Sequence, residues 1–358
     1  MRAGMGGPLR IGVNALYLIP GGVGGTEIYL RNLIAALAKI DAANQYFIFT
    51  NRETGSDLVP RQANFTWVPQ KVRARFRPAR ICWEQIQLPR AAKRLRLDVM
   101  FNPGFTSPIW SPCPNVTVFH DLQHIRLPDN FRWFDLPFWV LLLKASARRS
   151  KGLIAVSRAT ATDLKKFYGV DSVVIPHGVE PQFFQVGRER DPKHYILCVS
   201  TLHPHKNLEG LIKAWGNDRE LPYLMITGLR GFSAENLERL AGRQVRFTGW
   251  VSREELYGLF RGARAFVYPS RFEGFGMPVL EAMAARVPVA CSGIPPLREI
   301  ADGCAFFFNP LDLKQMREAI LRALEDDSLV DKAQQRAREF TWENAARATL
   351  DYLERSCS

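Results

Sequence analysis

Short apolar runs alternate along this chain with longer stretches whose apolar residues recur at helical spacing. The runs at 10–15, 45–49, 98–103, 115–121, 152–157, 195–200, 223–227 and 245–248 read as strands. Residues 265–269 are apolar and end at Pro269, the pattern of a buried parallel strand. Between such runs lie helical patterns, as in 27–40, where Ile28, Leu30, Leu33, Ile34 and Leu37 share one face. Ser157 is placed to cap the helix that holds Asp163 to Tyr168. Ser252 with Glu255 three residues on forms a capping box. Residues 126–149 are aromatic and apolar, with Phe131, Trp133, Phe134, Phe138, Trp139 and Leu141 to Leu143. They predict a core-facing helix, with a membrane-touching face as the second reading. Alternating strands and helices predict an α/β fold with parallel sheets.

The chain has 358 residues, enough for two domains of ordinary size. The polar stretch 187–193 reads as the linker, with a first domain over 1–186 and a second over 187–339. No run approaches about 18 uninterrupted apolar residues, so no membrane span is expected. Residues 11–19 resemble a signal peptide faintly, but Asn14 interrupts the run and Pro20-Gly21-Gly22 is no small-residue cleavage site. A first strand is the better reading. The six cysteines show no Cys-x-x-Cys spacing and read as reduced, mostly buried thiols of a cytoplasmic protein.

The most informative stretch is 270–284. After the strand at 265–269, Gly274 and Gly276 permit a tight loop, and Pro278 suits the first turn of a helix continued by Val279 to Ala285. A strand, a glycine loop and a helix N-terminus together present amides to an anion, here those near Met277 to Leu280. Glu273 in the loop and Glu281 in the helix bracket that site, placed to accept hydrogen bonds from sugar or ribose hydroxyls. A plain strand-to-helix junction with solvated glutamates is the structural alternative.

Glu273-Gly274-Phe275-Gly276-Met277-Pro278-Val279 followed by Glu281-Ala282-Met283-Ala284 resembles the Glu-x7-Glu signature of retaining, nucleotide-sugar-dependent glycosyltransferases of family 4, or group 1. The resemblance implies the GT-B fold, α/β, with two Rossmann-like domains whose parallel sheets face a central cleft. It also implies that 340–358, opening with Phe340-Thr341-Trp342-Glu343, is a helix crossing back to the first domain.

Further positions enter through this resemblance. Gly24 and Gly25 lie in a Gly-Gly-x-Gly loop, which alone would equally suit a dinucleotide. His120-Asp121 resembles the family's pair whose histidine lies beside the donor sugar; a structural histidine or a metal ligand with His124 are the other readings. Lys206 follows a strand and is placed to neutralise a diphosphate. Thr201 stands where an arginine is frequent, and His205 where a subgroup has arginine. Trp250 and Val251 resemble the loop that contacts the nucleobase. The implied catalytic set is His120, Lys206 and Glu273. The implied donor set is Gly24, Gly25, Thr201, His205, Trp250, Val251, Gly274, Phe275, Gly276, Met277, Pro278, Val279 and Glu281. No Asp-x-Asp occurs, so no metal or other cofactor is expected, and fixed cations would balance the diphosphate.

The donor implied is a nucleoside diphosphate sugar, GDP-mannose by similarity to mannosyltransferases of polysaccharide synthesis. The acceptor would be a saccharide or lipid-linked saccharide. A sugar-nucleotide epimerase or phosphorylase on the same fold, and a non-catalytic nucleotide-sugar-binding protein, are the alternatives. Net charge is +13, and residues 1–186 carry 24 basic against 12 acidic side chains while 187–358 carry 24 against 23. Nine basic residues and the single acid Glu84 fall within 71–96. Without a zinc or RNA-recognition motif, nucleic acid is not the expected partner. Peripheral contact of 71–96 with anionic lipid at the cytoplasmic face of the membrane is expected instead, with a solvated charged face as the alternative.

Overall fold

A computed structural model describes residues 7–22, 24–187, 195–216, 221–231 and 233–357. Val23 of the first glycine loop and residues 188–193 of the expected linker lie outside these described residues. The chain forms two units, one running to Gly178 and resuming at Trp342, the other Val179–Thr341.

The first unit holds a seven-stranded parallel sheet. Its strands are β1 (Arg10–Ala15), β2 (Gln45–Thr50), β3 (Phe65–Pro69), β4 (Val99–Asn102), β5 (Asn115–Phe119), β6 (Gly152–Ala155) and β7 (Val173–Val174). Their order is β3-β2-β1-β4-β5-β6-β7. The second unit holds β8 (Tyr195–Val199), β9 (Tyr223–Thr227), β10 (Val245–Gly249), β11 (Ala265–Tyr268), β12 (Val289–Ser292) and β13 (Phe306–Phe308). These are parallel in the order β10-β9-β8-β11-β12-β13. Strands such as β4 and β11 are buried throughout, which is why they read as unbroken apolar runs rather than alternating ones. Each order reverses once, between β1 and β4 and between β8 and β11. In open α/β sheets such a switch point is where ligands collect, at the carboxyl ends of the strands.

The first unit ends at Gly178 rather than at 186, because the next residues pack among those of the second unit. The Val179 amide donates to Phe340 O at 3.0 Å, and the Phe183 ring meets Tyr257 and Phe260 edge-on. The last helix, Trp342–Cys357, belongs to the first unit, where the Leu153 amide donates to the Tyr352 hydroxyl at 3.2 Å. Both expected helix caps form: Ser157 Oγ accepts from the Thr160 amide, and Ser252 with Glu255 closes a capping box.

Three surface expectations change. Of the nine basic residues in 71–96, Arg80 is buried, and it faces the equally buried Glu84 one helical turn on, at 3.9 Å. The helix expected to face the core is Leu136–Arg149, and only Leu142, Leu143, Ser146 and Ala147 are buried in it. Trp133, Phe134, Phe138 and Leu141 are exposed instead. All six cysteines are free, but only Cys198, Cys291 and Cys304 are buried.

Candidate active site

In the second unit the β8 and β11 exits lie side by side at the switch point. The Arg271 amide donates to His205 O at 2.8 Å, and Ser270 Oγ donates to the same carbonyl. Asn207, left-handed at φ 56°, donates from Nδ2 to Pro269 O and Pro310 O, pinning the β8 exit from the other side. Between these anchors stands Lys206. Its Nζ donates to Glu273 Oε1 at 2.7 Å and to the Tyr268 hydroxyl at 3.1 Å. Both ends of the pair are mostly shielded, Lys206 at 16% and Glu273 at 11% side-chain exposure. Burial alone would push the Glu273 carboxyl up, but the Lys206 charge and hydrogen bonds from Lys206 and Ser270 hold it below the ordinary range. An ammonium has three donors, so two bonds leave one N–H for an incoming oxygen.

Thr201 follows on the same exit, where the Ser200 hydroxyl and the His203 amide donate to its carbonyl. The His203 and His205 rings stack at 5.9 Å. Burial, then Lys206, lowers the His205 pKa to about 4 and depresses that of His203. Both shifts oppose added charge from this pair on acidification, and the ion pair at this exit is that of Lys206 with Glu273.

The Gly274-Phe275-Gly276 loop is set by packing. Phe275 is buried and its ring lies 6.1 Å from that of Phe340. Gly276 has φ 122°, and a Cβ there would come within 2.4 Å of Leu297 Cδ2. Gly276→Ala is expected to lose about 1–3 kcal/mol of stability through overpacking and backbone strain. A denaturation midpoint equal to that of the parent would show that the loop gives way freely. The helix Met277–Ala284 follows, with Pro278 in its first turn. Of the amides expected near Met277 to Leu280, one is left over. Pro278 has no N–H, and Val279 and Leu280 donate to Gly276 O at 3.0 and 3.4 Å, leaving Met277 as the amide the helix itself does not use.

Glu281 does not stand open beside the loop. It is buried, and Arg253 Nη1 and Nη2 both donate to its Oε1 at 3.2 Å. The same guanidinium bonds Glu180 Oε1 at 2.8 Å, while the Tyr257 hydroxyl donates to Glu180 Oε2 at 2.6 Å. Burial first, with Glu180 adding and Arg253 opposing, raises the Glu281 pKa to about 7. The sequence reading missed Arg253, Glu180 and Tyr257. One local signal was present. Arg253 opens a helix right after the Ser252 cap, where a cation opposes the dipole. A residue there against its own helix needs a tertiary partner. At the end of β10, Trp250 is 64% exposed, a free aromatic face, and Val251 beside it is half-buried.

In the first unit, His120 follows β5 and is buried. Its Nε2–H donates to Pro103 O at 2.8 Å at the end of β4, which leaves Nδ1 as the acceptor nitrogen. Tyr29 meets the ring edge-on at 4.9 Å and His177 lies 5.4 Å away. Burial lowers the His120 pKa to about 4, so the ring is neutral at pH 7. His124 turns away to the Tyr168 hydroxyl at 2.6 Å. Among the described residues no group of three or more His, Cys, Asp or Glu is arranged around a metal position. Gly24 (φ 57°) caps the helix Gly25–Ile40, which carries Tyr29 to His120. The Gly21 amide of this loop is already bonded, to Glu27 Oε2 at 2.8 Å.

Two family descriptions match the chain: "Glycosyl transferases group 1" over residues 179–340 and "Glycosyltransferase Family 4" over residues 23–183. The O-antigen chain mannosyltransferase B of Escherichia coli is 36% identical over 266 residues, 66% of this chain and 69% of that protein. The O-antigen chain mannosyltransferase RfbU of Salmonella typhimurium is 33% identical over 211 residues, 56% of this chain and 58% of that protein. Among solved structures, sucrose-phosphate synthase from Thermosynechococcus elongatus superposes with TM-score 0.78 at 18% identity, covering 97% of this chain and 98% of that one. Anabaena HepE in complex with UDP and glucose superposes with TM-score 0.74 at 16% identity, covering 97% and 100%. At those identities the structures speak to the fold alone.

Proposed function

The chain belongs to the group 1, family 4 glycosyltransferases, with the two parallel-sheet domains of the GT-B fold, and on that premise we propose that it transfers mannose from GDP-mannose to a saccharide or lipid-linked saccharide acceptor, with retention, in polysaccharide synthesis. The observation that carries the reading is the shielded Lys206–Glu273 pair at the β8/β11 switch point, beside the glycine loop and the Met277 amide. Departure of a nucleoside diphosphate places negative charge on the β-phosphate. A preorganised ammonium with one donor to spare stabilises that charge as it develops. Glu273 holds the ammonium in place and stays ionised to do so.

Trp250 offers a stacking face for the base, and Glu281 offers Oε2 to ribose hydroxyls because Arg253 occupies Oε1. His120, neutral and fixed by Pro103, would accept a hydrogen bond from a donor-sugar hydroxyl at Nδ1. Fixed protein cations make the reaction metal-independent in this reading. The mannosyl and O-antigen names of the sequence relatives support the donor and acceptor classes. Peripheral contact with the cytoplasmic face of the membrane would bring a lipid-linked acceptor within reach.

The test is a thermal-shift panel of GDP, UDP and ADP followed by turnover of GDP-mannose with and without acceptor, in excess EDTA. Stabilisation by GDP and acceptor-dependent GDP release in EDTA are expected. Free epimerised sugar without acceptor would sink the transferase reading in favour of an epimerase. Nucleotide binding with no turnover on any acceptor would leave a binding protein. Activity lost in EDTA and restored by Mg²⁺ or Mn²⁺ would overturn metal independence.

A further inference from the structure

We propose that Glu84 and Phe105 are positioning residues for His120: the buried Glu84 carboxylate fastens a strained turn after β4, and that turn fixes the imidazole through the Pro103 carbonyl and the Phe105 ring. The inference rests on the His120 reading above and extends it to residues outside the donor and catalytic sets.

The turn is Gly104-Phe105-Thr106. The Thr106 amide donates to Gly104 O at 2.8 Å, and Phe105 between them has φ 70°. That is the γ-turn of the rarer, strained hand. Glycine at position 105 would form the same turn at no steric cost. What glycine could not supply is the ring, which lies 5.1 Å from that of His120. The Pro103 carbonyl, just before the turn, takes the Nε2–H of the same imidazole at 2.8 Å. Two contacts that orient His120 therefore come from one short stretch of backbone. Strain of this kind persists only where the surroundings over-determine it, and it gathers at functional sites.

The surroundings that hold the turn are side chains of the helix Arg77–Arg94. Thr106 Oγ1 donates to Glu84 Oε2 at 3.0 Å, and both residues are buried. Gln85 takes the next stretch, with Nε2 donating to Ser107 O at 3.0 Å and Oε1 accepting from the Ile109 amide at 2.9 Å. The Ser107 amide donates to Ser146 Oγ at 3.2 Å. The Phe105 amide donates to Val118 O at 3.2 Å, on the strand that ends beside His120. From the other side Tyr17 packs so closely that a Cβ on Gly104 would fall 2.2 Å from its Cδ1. Glu84 is the single acid in the basic run 71–96, and Arg80 stands 3.9 Å from it. A buried pair at that separation is a weak source of stability. Its bond to the turn gives the carboxylate a task that the ion pair does not. A clamp serving the fold alone would hold a relaxed loop equally well, whereas this one holds a strained turn aimed at His120.

Nitrogen-15 spectra of the histidine rings test this on the full chain at pH 7 without ligand, with His120 assigned by its absence from His120→Asn. The parent is expected to show one His120 tautomer, protonated at Nε2. Thr106→Val removes the hydroxyl that Glu84 holds and leaves the Arg80–Glu84 pair in place, and a mixture of His120 tautomers is expected. The paired variant Arg80→Met, Glu84→Leu removes both buried charges together and is expected to do the same. Thr106→Ser keeps the donor and is expected to keep the parent tautomer. GDP release from GDP-mannose with acceptor gives the second readout. Thr106→Val and the paired variant are expected to lose about tenfold or more in kcat with little change in donor KM, and Thr106→Ser to recover most of that loss. Phe105→Gly is expected to unfold at higher denaturant than Phe105→Ala, the reverse of the order at a relaxed site, with kcat low in both. If Thr106→Val does not fold, the paired variant carries the same test. Parent-like His120 signals in these variants overturn the proposal whatever the rates, and parent-like kcat in Phe105→Gly overturns the role of the ring. If His120→Asn itself turns over at the parent rate, the catalytic reading of His120 falls, and the spectra alone decide the positioning.

Discussion

Lys206→Ala is expected to lower turnover by about 10²–10³-fold, the range seen when one preorganised charge-stabilising donor is removed. Lys206→Arg is expected to keep more of the rate, because it restores a cation without the compact three-donor ammonium. The residue has two jobs in this structure, and they separate experimentally. It bonds Glu273 at 2.7 Å, so the alanine variant also leaves a shielded carboxylate without its cation. That alone destabilises by about 3–5 kcal/mol for a fully buried pair. The double variant Lys206→Ala, Glu273→Gln removes the orphaned charge and is expected to regain stability but not turnover. The pH dependence follows from the sign of the shift. The Glu273 carboxyl lies below its ordinary value in the fold, so its contribution is present above that ordinary value and is lost as pH falls through the folded one. The stability gap between the parent and Lys206→Ala should therefore close in acid. Steady-state kinetics and urea denaturation at two pH values check both halves. Equal rates for parent, alanine and arginine forms would remove Lys206 from the reaction.

How far the site can be read from the chain depends on how local each interaction is. The Ser252–Glu255 box and the Ser157 cap span three residues, and both form as spaced. The strand, glycine loop and helix at 265–284 are legible for the same reason. The cluster around Glu281 is not. Arg253 lies 28 residues from Glu281 and 73 from Glu180, and only the closing of the sheet brings the three together. The sequence shows Pro278 in the Met277 helix but not that Gly276 O takes the next two donors. Counting charges along 71–96 assigned Arg80 to the surface, where the fold buries it against Glu84. The segment 126–149 failed in the other direction. Periodicity finds an apolar face but cannot say whether protein or another phase covers it, so residues that read as core stand exposed.

Arg253→Leu is expected to lose about 2–4 kcal/mol of stability at pH 8, somewhat below the loss for a wholly buried ion pair because the guanidinium is 30% exposed. The arginine is the counter-ion of two shielded carboxylates at once, Glu180 at 16% and Glu281 at 8% exposure. Without it they face each other unneutralised. Burial already lifts Glu281 to about 7 with Glu180 adding to the shift, and Arg253 is what holds it down. Its removal therefore moves that carboxyl higher still. A carboxyl raised in the fold contributes stability below its unfolded value and loses it as pH climbs through the folded one. In the parent that window runs from the ordinary value of 4.5 to about 7. In Arg253→Leu the upper edge shifts upward, so the variant should be worst at pH 8 and approach the parent near pH 5. The double variant Arg253→Leu, Glu281→Gln is expected to recover much of the loss at pH 8, because a neutral amide no longer repels Glu180. Guanidinium unfolding of the three proteins at both pH values measures all of this. A deficit independent of pH, or one that the added Glu281→Gln change leaves intact, would mean that Arg253 acts through its packing on Phe183 and Tyr257 rather than through charge.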